Sequence, residues 1–480
     1  NNRRMRKVKE GMDFFRDIES FGQKKALTCL SGPGLSYVEL AGKADSLARK
    51  LQSNRLAFNL CGNNLESIVG YLGFLRHKIP QALINPETDS DLIRNLLNSY
   101  RPKYLWCSDN FNFVGYRPIA QEDRYKLLES ADDFNYPINP ELALLLTTSG
   151  STGSPKLVRQ SYTNIAANAA SIAEYLEIDA SDRPITTLPM SYTYGLSIIN
   201  SHLHTGSEII LNEKSIVNRE FWNALKEQQA TSFGGVPFTY EILKKLKFER
   251  LELPHLNKLT QAGGKLNDQL CHEFAEICRK KQIRFFVMYG QTEATARISY
   301  LDCSRDSDKI GSVGKAIPGG TLSLVDDQSK PILSNGTPGE LVYQGPNVTL
   351  GYATSCLDLQ LADQNNGKLY TGDIAKRDEQ GFYYIVGRKK RFLKLFGSRV
   401  NLDELEGLLH ATAIEAACTG EDDLLKVHTT DEQAMPQIKK LLTKKLGLNP
   451  SGFEIILVAE VPRTESGKIE YSKLPAAATG

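Results

Sequence analysis

The stretch from Leu142 to Gln160, LALLLTTSGSTGSPKLVRQ, constrains the fold of this chain more than any other. Its apolar run Leu142–Leu146 lacks polar alternation, which predicts a strand covered on both faces, as in a largely parallel sheet. The run breaks into Thr147, Thr148, Ser149, Gly150, Ser151, Thr152, Gly153, Ser154, Pro155 and Lys156. Hydroxyls and backbone N–H groups are dense there, and no side chain is large enough to block close approach. Gly150 and Gly153 permit backbone angles that turn successive N–H groups toward an anion, and Lys156 can complete the nest. Order resumes at Leu157–Gln160, after which Ser161 or Thr163 can cap a helix with Ile165, Ala169, Ile172 and Leu176 on one face. The functional reading is a loop that cradles the phosphates of a nucleotide; the alternative is a flexible Ser/Gly/Thr turn. A Walker loop fails on spacing, because Gly153 is followed by Ser154-Pro155-Lys156 and no Mg²⁺-binding hydroxyl follows the lysine.

At 480 residues the chain is long enough for several subdomains with sizeable cores. Its 58 Lys and Arg against 56 Asp and Glu leave a formal net charge of +2, which gives no global case for nucleic acid. The basic cluster Arg3, Arg4, Arg6, Lys7 and Lys9 has no apolar segment behind it, so a solvated terminus is expected rather than a signal peptide or membrane anchor. No run approaches the length of a membrane span. Eight cysteines, including Cys29, Cys61, Cys107, Cys303 and Cys418, lack a CxxC pair. They argue for a reducing compartment, read as cytoplasmic, and against a zinc site.

Residues 1–140 alternate helical patterns with short apolar strands, which predicts a doubly wound α/β arrangement. Ser36–Gln52 reads as an amphipathic helix with Leu40, Ala44, Leu47 and Leu51 on one face, and Leu56–Asn64 as a strand running into a polar turn. Gly339–Gln344 reads as an alternating strand, and Asp403–His410 and Glu432–Lys445 as helices. His202 and His204 stand two apart without other ligands and read as structural rather than metal-binding.

The segment TTSGSTGSPK closely resembles the phosphate-loop signature of the adenylate-forming superfamily, which includes acyl-CoA synthetases, luciferases and the adenylation domains of peptide synthetases. Further motifs follow in that superfamily's order. KLTQAGGKL at Lys258–Leu266 resembles the loop on which adenine stacks. YGQTE at Tyr289–Glu293 ends an apolar strand, Arg284–Met288, and strand ends of open α/β sheets are where ligands sit. The match is continuous from Tyr370 to Glu406, and VPRTESGKIEYSKL at Val461–Leu474 resembles the C-terminal PRTxxGK motif.

The resemblance implies an α/β fold. A large N-terminal domain of doubly wound sheets, with a distorted β-barrel subdomain, would span residues 1–386. A hinge at 387–390 would join it to a small, mobile α+β C-terminal domain, 391–480. It also implies ATP and Mg²⁺, with coenzyme A or the phosphopantetheine of an acyl carrier protein as acceptor. Ser149, Gly150, Ser151, Thr152, Gly153 and Lys156 would then hold phosphates. Ala262, Gly263 and Gly264 would give adenine a flat backbone platform, flanked by Tyr289 within the motif that includes Gly290 and Gln291. Thr292 would touch the α-phosphate. Asp373 would accept both ribose hydroxyls, a bidentate task suited to a carboxylate, with Arg388 in support. Thr148, Lys468 and Glu293 would be catalytic. Glu293 would also bind Mg²⁺, since a carboxylate beside polyphosphate is repulsive unless a cation lies between them. The alternative for Glu293 is that it merely starts a helix. Lys468 would bring a mobile point charge to the crowded transition state. Lys390 would be the hinge residue, and Lys394 and Gly397 would lie on the loop presented in the second, thiol-transfer state.

One region departs from the pattern. In Thr186–Gly206, Tyr192 stands where a histidine is common, and no carboxylate lies between Thr186 and Asn200 to pair with a substrate ammonium. A free α-amino acid is therefore disfavoured, and an uncharged aliphatic or aromatic acid is expected. Tyr192, Tyr194, Phe233 and Gly234 are the candidate pocket residues; Phe233, Gly234 and Pro237 could equally pack the core. The expected activity is activation of a small carboxylic acid as acyl-AMP with release of pyrophosphate, then transfer of the acyl group to a thiol. The alternatives are adenylation of an amino acid for a carrier protein, or a non-catalytic nucleotide-binding protein on the same fold. Against the latter stand the intact Lys468, Glu293, Asp373 and Arg388. Nucleic-acid binding is disfavoured by the near-neutral charge.

Overall fold

The parallel strands of the largest sheet are buried on both faces because helices cover both sides. The computed structural model describes residues 13–30, 32–147, 156–389, 391–395, 398–421, 423–445, 448–464 and 469–475. In the eight-stranded sheet, Leu142–Thr147, Gln81–Ile84, Ala57–Leu60 and Tyr104–Ser108 run parallel in that spatial order. Antiparallel strands extend it at both edges, Leu157–Ser161 and Gly351–Ala353 on one side, Tyr125–Ser130 and Tyr116–Glu122 on the other. Alternate residues enter two separate cores: Ala57, Leu83, Leu144 and Leu146 pack on one side, Phe58, Ala82, Ile84 and Leu145 on the other.

The flanking helices start where the local chemistry says they should. Ser36 caps Tyr37–Ala48 and exchanges hydrogen bonds with Glu39. Of the two candidate caps after the phosphate loop, Ser161 is the one used: its hydroxyl accepts from the N–H of Asn164 at 3.0 Å, and the helix runs Tyr162–Tyr175. Leu157–Ser161 itself is a strand that doubles back beside Leu142–Thr147. Residues 148–155 therefore connect the two members of an antiparallel pair.

A second sheet of five strands begins with the parallel set Ser232–Gly235, Lys258–Gln261 and Arg284–Tyr289, then turns antiparallel through Ser299–Asp302 and Lys315–Ala316. Beside it lies a four-stranded antiparallel sheet of Thr321–Val325, Gly339–Gln344, Lys368–Arg377 and Tyr383–Arg388, in the place expected for the barrel-like subdomain. The C-terminal part has its own core. A hairpin, Phe392–Leu395 with Ser398–Asn401, leads into helix Leu402–His410 and a three-stranded sheet. The helix expected over Glu432–Lys445 is α-helical only at Met435–Lys440, with Pro436 in its first turn. Among the described residues no helix is long and apolar enough to cross a membrane.

One buried side chain ties the edge of the large sheet to the chain beyond it. Arg159 is fully buried and donates to the carbonyls of Leu350, Tyr352, Leu361 and Ala362 and to the Gln364 amide oxygen. These acceptors replace the water that a guanidinium would otherwise demand. Arg159→Leu strands them, and a loss of at least about 3 kcal/mol is expected. Urea unfolding followed by tryptophan fluorescence checks this, because both tryptophans, Trp106 and Trp222, lie in the large N-terminal part. An unchanged midpoint would count against the staple.

Candidate active site

The strand ends of both parallel sets converge on the motifs singled out in the sequence. Thr148, Ser149, Gly150, Ser151, Thr152 and Gly153 lie outside the described residues, as do Lys390, Gly397 and Lys468. Lys156 is described. Its ammonium sits 3.5 Å from the centroid of the Tyr352 ring, and the Tyr352 hydroxyl donates to Glu293 at 2.6 Å. Cation, ring and carboxylate thus form one chain. Burial first, then the Glu293 charge, raises the Tyr352 hydroxyl above its ordinary pKa, so at neutral pH it keeps the proton that it donates to Glu293. The sequence reading passed over Tyr352, which stands in an unremarkable Gly-Tyr pair.

Glu293 is fixed by a strained turn. It lies in a three-residue 3₁₀ turn, Thr292–Ala294, too short to act as a helix dipole. Thr295 follows at φ +62°, ψ −57°, with the Ala296 N–H reaching the Ala294 carbonyl at 2.6 Å. This is a γ-turn of the left-handed kind, costly for a β-branched residue and held only where neighbours over-determine it. Here they do. Thr193 donates to the Thr295 carbonyl, and Thr295 donates to the Asn347 carbonyl at 2.7 Å. The Asn347 amide donates to the carbonyls of Ala294 and Arg297, each at 2.8 Å, and the Thr349 N–H to that of Glu293 at 3.0 Å. Gly290 is obligatory, since a Cβ there would lie 1.8 Å from the Ala296 carbonyl oxygen.

A second cluster centres on Asp373, only 5% exposed. Its carboxylate accepts from the Tyr289 hydroxyl and from Gln291 Nε2 at 3.1 Å, and Arg388 Nε lies 3.3 Å from its other oxygen. Asp373 and Arg388 face each other in the antiparallel register. Burial pushes the Asp373 carboxyl above the ordinary carboxylate range, against the opposing pull of Tyr289, Arg388 and Gln291.

The platform Ala262, Gly263 and Gly264 follows strand Lys258–Gln261. Gly263 has φ +87°, and a Cβ there would meet the Tyr192 hydroxyl at 2.7 Å. Tyr192 precedes helix Thr193–Thr205, and its ring meets that of Tyr194 edge to face. Tyr194 is fully buried, with its hydroxyl 2.8 Å from that of Thr260. Gly234 leaves room for Tyr194, since a Cβ there would lie 2.9 Å from its hydroxyl oxygen. Phe233 points the other way, into the core against Phe221 and Trp222, as the alternation of a strand requires. His202 is buried with Nδ1 at 2.7 Å from the Ile198 carbonyl, and among the described residues no cluster of metal ligands forms.

Beyond the 387–390 segment, Arg391 anchors the C-terminal part. Its guanidinium meets Asp403 at 2.6 Å and Glu406 at 2.7 Å, with the Tyr471 ring centroid 3.8 Å away. Tyr471 in turn donates to Glu406 at 2.9 Å. The segment that carries Lys468 is closed at its base by the bridge Arg463↔Ile469 and by the Glu470 N–H to the Pro462 carbonyl at 2.8 Å. Lys394 lies on the strand Phe392–Leu395 and pairs with Arg399 in register.

Comparison with known proteins identifies the family and the fold. The family model described as "AMP-binding enzyme" matches residues 14–353. The chain is 25% identical to indoleacetate–CoA ligase of Aromatoleum aromaticum over 91% of each chain. It is 28% identical to 2-succinylbenzoate–CoA ligase of Oceanobacillus iheyensis over 80% of each. Among solved structures it resembles O-succinylbenzoate coenzyme A synthetase from Bacillus subtilis in complex with AMP. The TM-score there is 0.79 and the identity 21%, over 98% of this chain and 99% of the other.

If Asp373 takes up a ribose, it must be ionised to accept both hydroxyls. Because its pKa is raised, adenosine affinity is expected to fall on acidification at a higher pH than an ordinary carboxylate allows, and Asp373→Asn to bind at least about tenfold more weakly. Calorimetric titration with adenosine, itself uncharged in this range, reads both effects.

Proposed function

The chain belongs to the AMP-binding enzyme family, as an AMP-forming acid–thiol ligase, and from that premise we propose how its residues divide the reaction. The observation that carries the assignment is the buried Asp373, which Tyr289, Gln291 and Arg388 converge upon at the strand ends. A carboxylate buried at this cost, once its present side-chain partners give way in part, suits the hydroxyls of a ribose.

In the first step an oxygen of the substrate carboxylate attacks the α-phosphorus of ATP. The bond from that phosphorus to the bridging oxygen breaks, and pyrophosphate leaves. Glu293 is the protein ligand we assign to Mg²⁺: its carboxylate is half-buried, held by Tyr352 and a rigid turn, and one carboxylate with substrate phosphates is the usual Mg²⁺ set. When bound, Mg²⁺ would supply charge neutralisation for the phosphates. Lys156, Thr148, Ser149 and Thr152, with Gly150, Ser151 and Gly153 as backbone donors, are proposed to hold those phosphates, and Thr292 the α-phosphate. Ala262, Gly263, Gly264 and Tyr289 would hold adenine. Lys468 is proposed to bridge the reacting carboxylate and α-phosphate. Positioning and electrostatics carry this step, and no protein nucleophile is needed.

In the second step a thiolate attacks the acyl carbonyl and AMP leaves with the bonding electron pair. Coenzyme A is the proposed thiol, supported by relatives named as CoA ligases; a carrier-protein phosphopantetheine is the alternative. We propose a large domain of residues 1–386, a hinge at 387–390 centred on Lys390, and a small domain of 391–480 that turns to present Lys394 and Gly397. Tyr192, Tyr194 and Gly234 are proposed to bound the acid pocket. A cytoplasmic setting belongs to the same proposal: all eight cysteines are unpaired.

Acid-dependent pyrophosphate release from ATP tests the reading across a panel of acids, with and without coenzyme A. Release is expected to fall about 10²-fold or more in Lys468→Ala, and coenzyme A to accelerate turnover. Release without any response to coenzyme A would transfer the acceptor role to a carrier protein. In Glu293→Gln the Mg²⁺ concentration for half-maximal rate is expected to rise, with AMP affinity little changed; a parallel loss of both would sink the metal assignment.

A further inference from the structure

The phenol of Tyr352 stands between two opposite charges. Lys156 Nζ lies 3.5 Å from the centre of its ring, and its hydroxyl donates to Glu293 Oε1 at 2.6 Å. Among the described residues no direct ion pair joins the lysine to the carboxylate. The backbone explains the arrangement. Tyr352 faces Val158 in the antiparallel register, so Lys156, two positions before Val158, is its diagonal neighbour on the same face, within reach of an aromatic ring. Arg159 holds the Tyr352 carbonyl at 3.0 Å, and the Thr349 N–H holds that of Glu293 at 3.0 Å. Neither the ring nor the carboxylate is free to drift. The two side-chain contacts also strengthen one another, because a phenol that donates to an anion gains electron density on its face, where the cation sits.

In the functional reading above the two charges have separate tasks, Lys156 toward phosphates and Glu293 toward Mg²⁺. A direct pair between them would satisfy each with the other, and in a partly buried site opposite charges attract strongly enough to make that pair the default. We propose that Tyr352 is a positioning residue that prevents it. The ring face holds the ammonium until a polyphosphate takes it, and the hydroxyl holds one carboxylate oxygen and leaves the other to a cation. The inference rests on that functional reading. A ring suits the task because it is the weaker partner. It holds a cation without a counter-charge, so a phosphate, with full charge and strong acceptors, displaces it. A carboxylate in its place would not let go.

The place of Lys156 is read by NMR of the whole protein after ¹³C-methylation of its lysines, a change that keeps their charge. An N-methyl resonance shifted upfield by a ring current is expected in the wild type. It is absent from Lys156→Gln, kept in Tyr352→Phe and lost in Tyr352→Leu, and it moves to the ordinary range with ATP but not with adenosine. Calorimetric titration without Mg²⁺ reads the consequence. Tyr352→Leu is expected to bind ATP about tenfold more weakly with adenosine affinity held, while Tyr352→Phe, which keeps the ring, binds ATP nearly as the wild type does. Glu293→Gln raises ATP affinity more in Tyr352→Leu than in the wild type, since only there is the carboxylate paired with the lysine. The inference is overturned if no Lys156 resonance is ring-shifted, if Tyr352→Leu loses ATP and adenosine in equal measure, or if the gain from Glu293→Gln is the same in both backgrounds. If the expected results hold and no acid releases pyrophosphate, the role of Tyr352 stands and the adenylation reading falls.

Discussion

The structure depends on one local distortion being held in place. Thr295 sits in a left-handed γ-turn that a β-branched residue avoids, and it stays there because Asn347 and Thr193 close on it from two other parts of the chain. Removing either clamp would let the turn relax toward ordinary backbone angles and carry Glu293 with it. The distortion sits one residue beyond the acid–turn motif, where backbone strain is most often tolerated because position matters more than stability. Three layers of the fold meet at this point: the helix Thr193–Thr205, the strand Arg284–Tyr289, and the 345–352 segment that leads to the edge of the large sheet.

The 345–352 segment gathers the contacts that fix Glu293. Asn347 holds the turn, Thr349 the Glu293 carbonyl, Tyr352 the Glu293 carboxylate, and Arg159 holds the segment itself from behind. Polar groups are therefore fixed before any ligand arrives. Little reorganisation is left for the reaction step, the condition under which electrostatic stabilisation is strongest.

Much of this was legible in the sequence. The doubly covered strand at Leu142–Leu146, the cap at Ser161, the strand ending in Tyr289 and the carboxylate at Asp373 all follow from local pattern or motif. What escaped was brought together by distance along the chain. Tyr352 lies 59 positions from its carboxylate partner and Thr193 102 positions from the carbonyl it holds, and neither carries a local signal. Phe233 was a different case, since strand alternation alone separates it from Gly234. The helix expected at Glu432–Lys445 is helical throughout but in three geometries: a 3₁₀ turn at Glu432–Ala434, an α-helix at Met435–Lys440 with Pro436 in its first turn, and a π-turn at Leu441–Lys445.

The anchor at Arg391 bears on how such a protein could be recombined. Arg391 is bound to Asp403, Glu406 and Tyr471, so a residue just past 387–390 and one near the C-terminal end belong to one part-buried cluster. A C-terminal part exchanged with that of a relative would keep this cluster only if those four positions travelled together. A graft cut between them would separate a charge from its counter-charge inside the transplanted part. A seam placed before Arg391 keeps the cluster whole on one side of the cut.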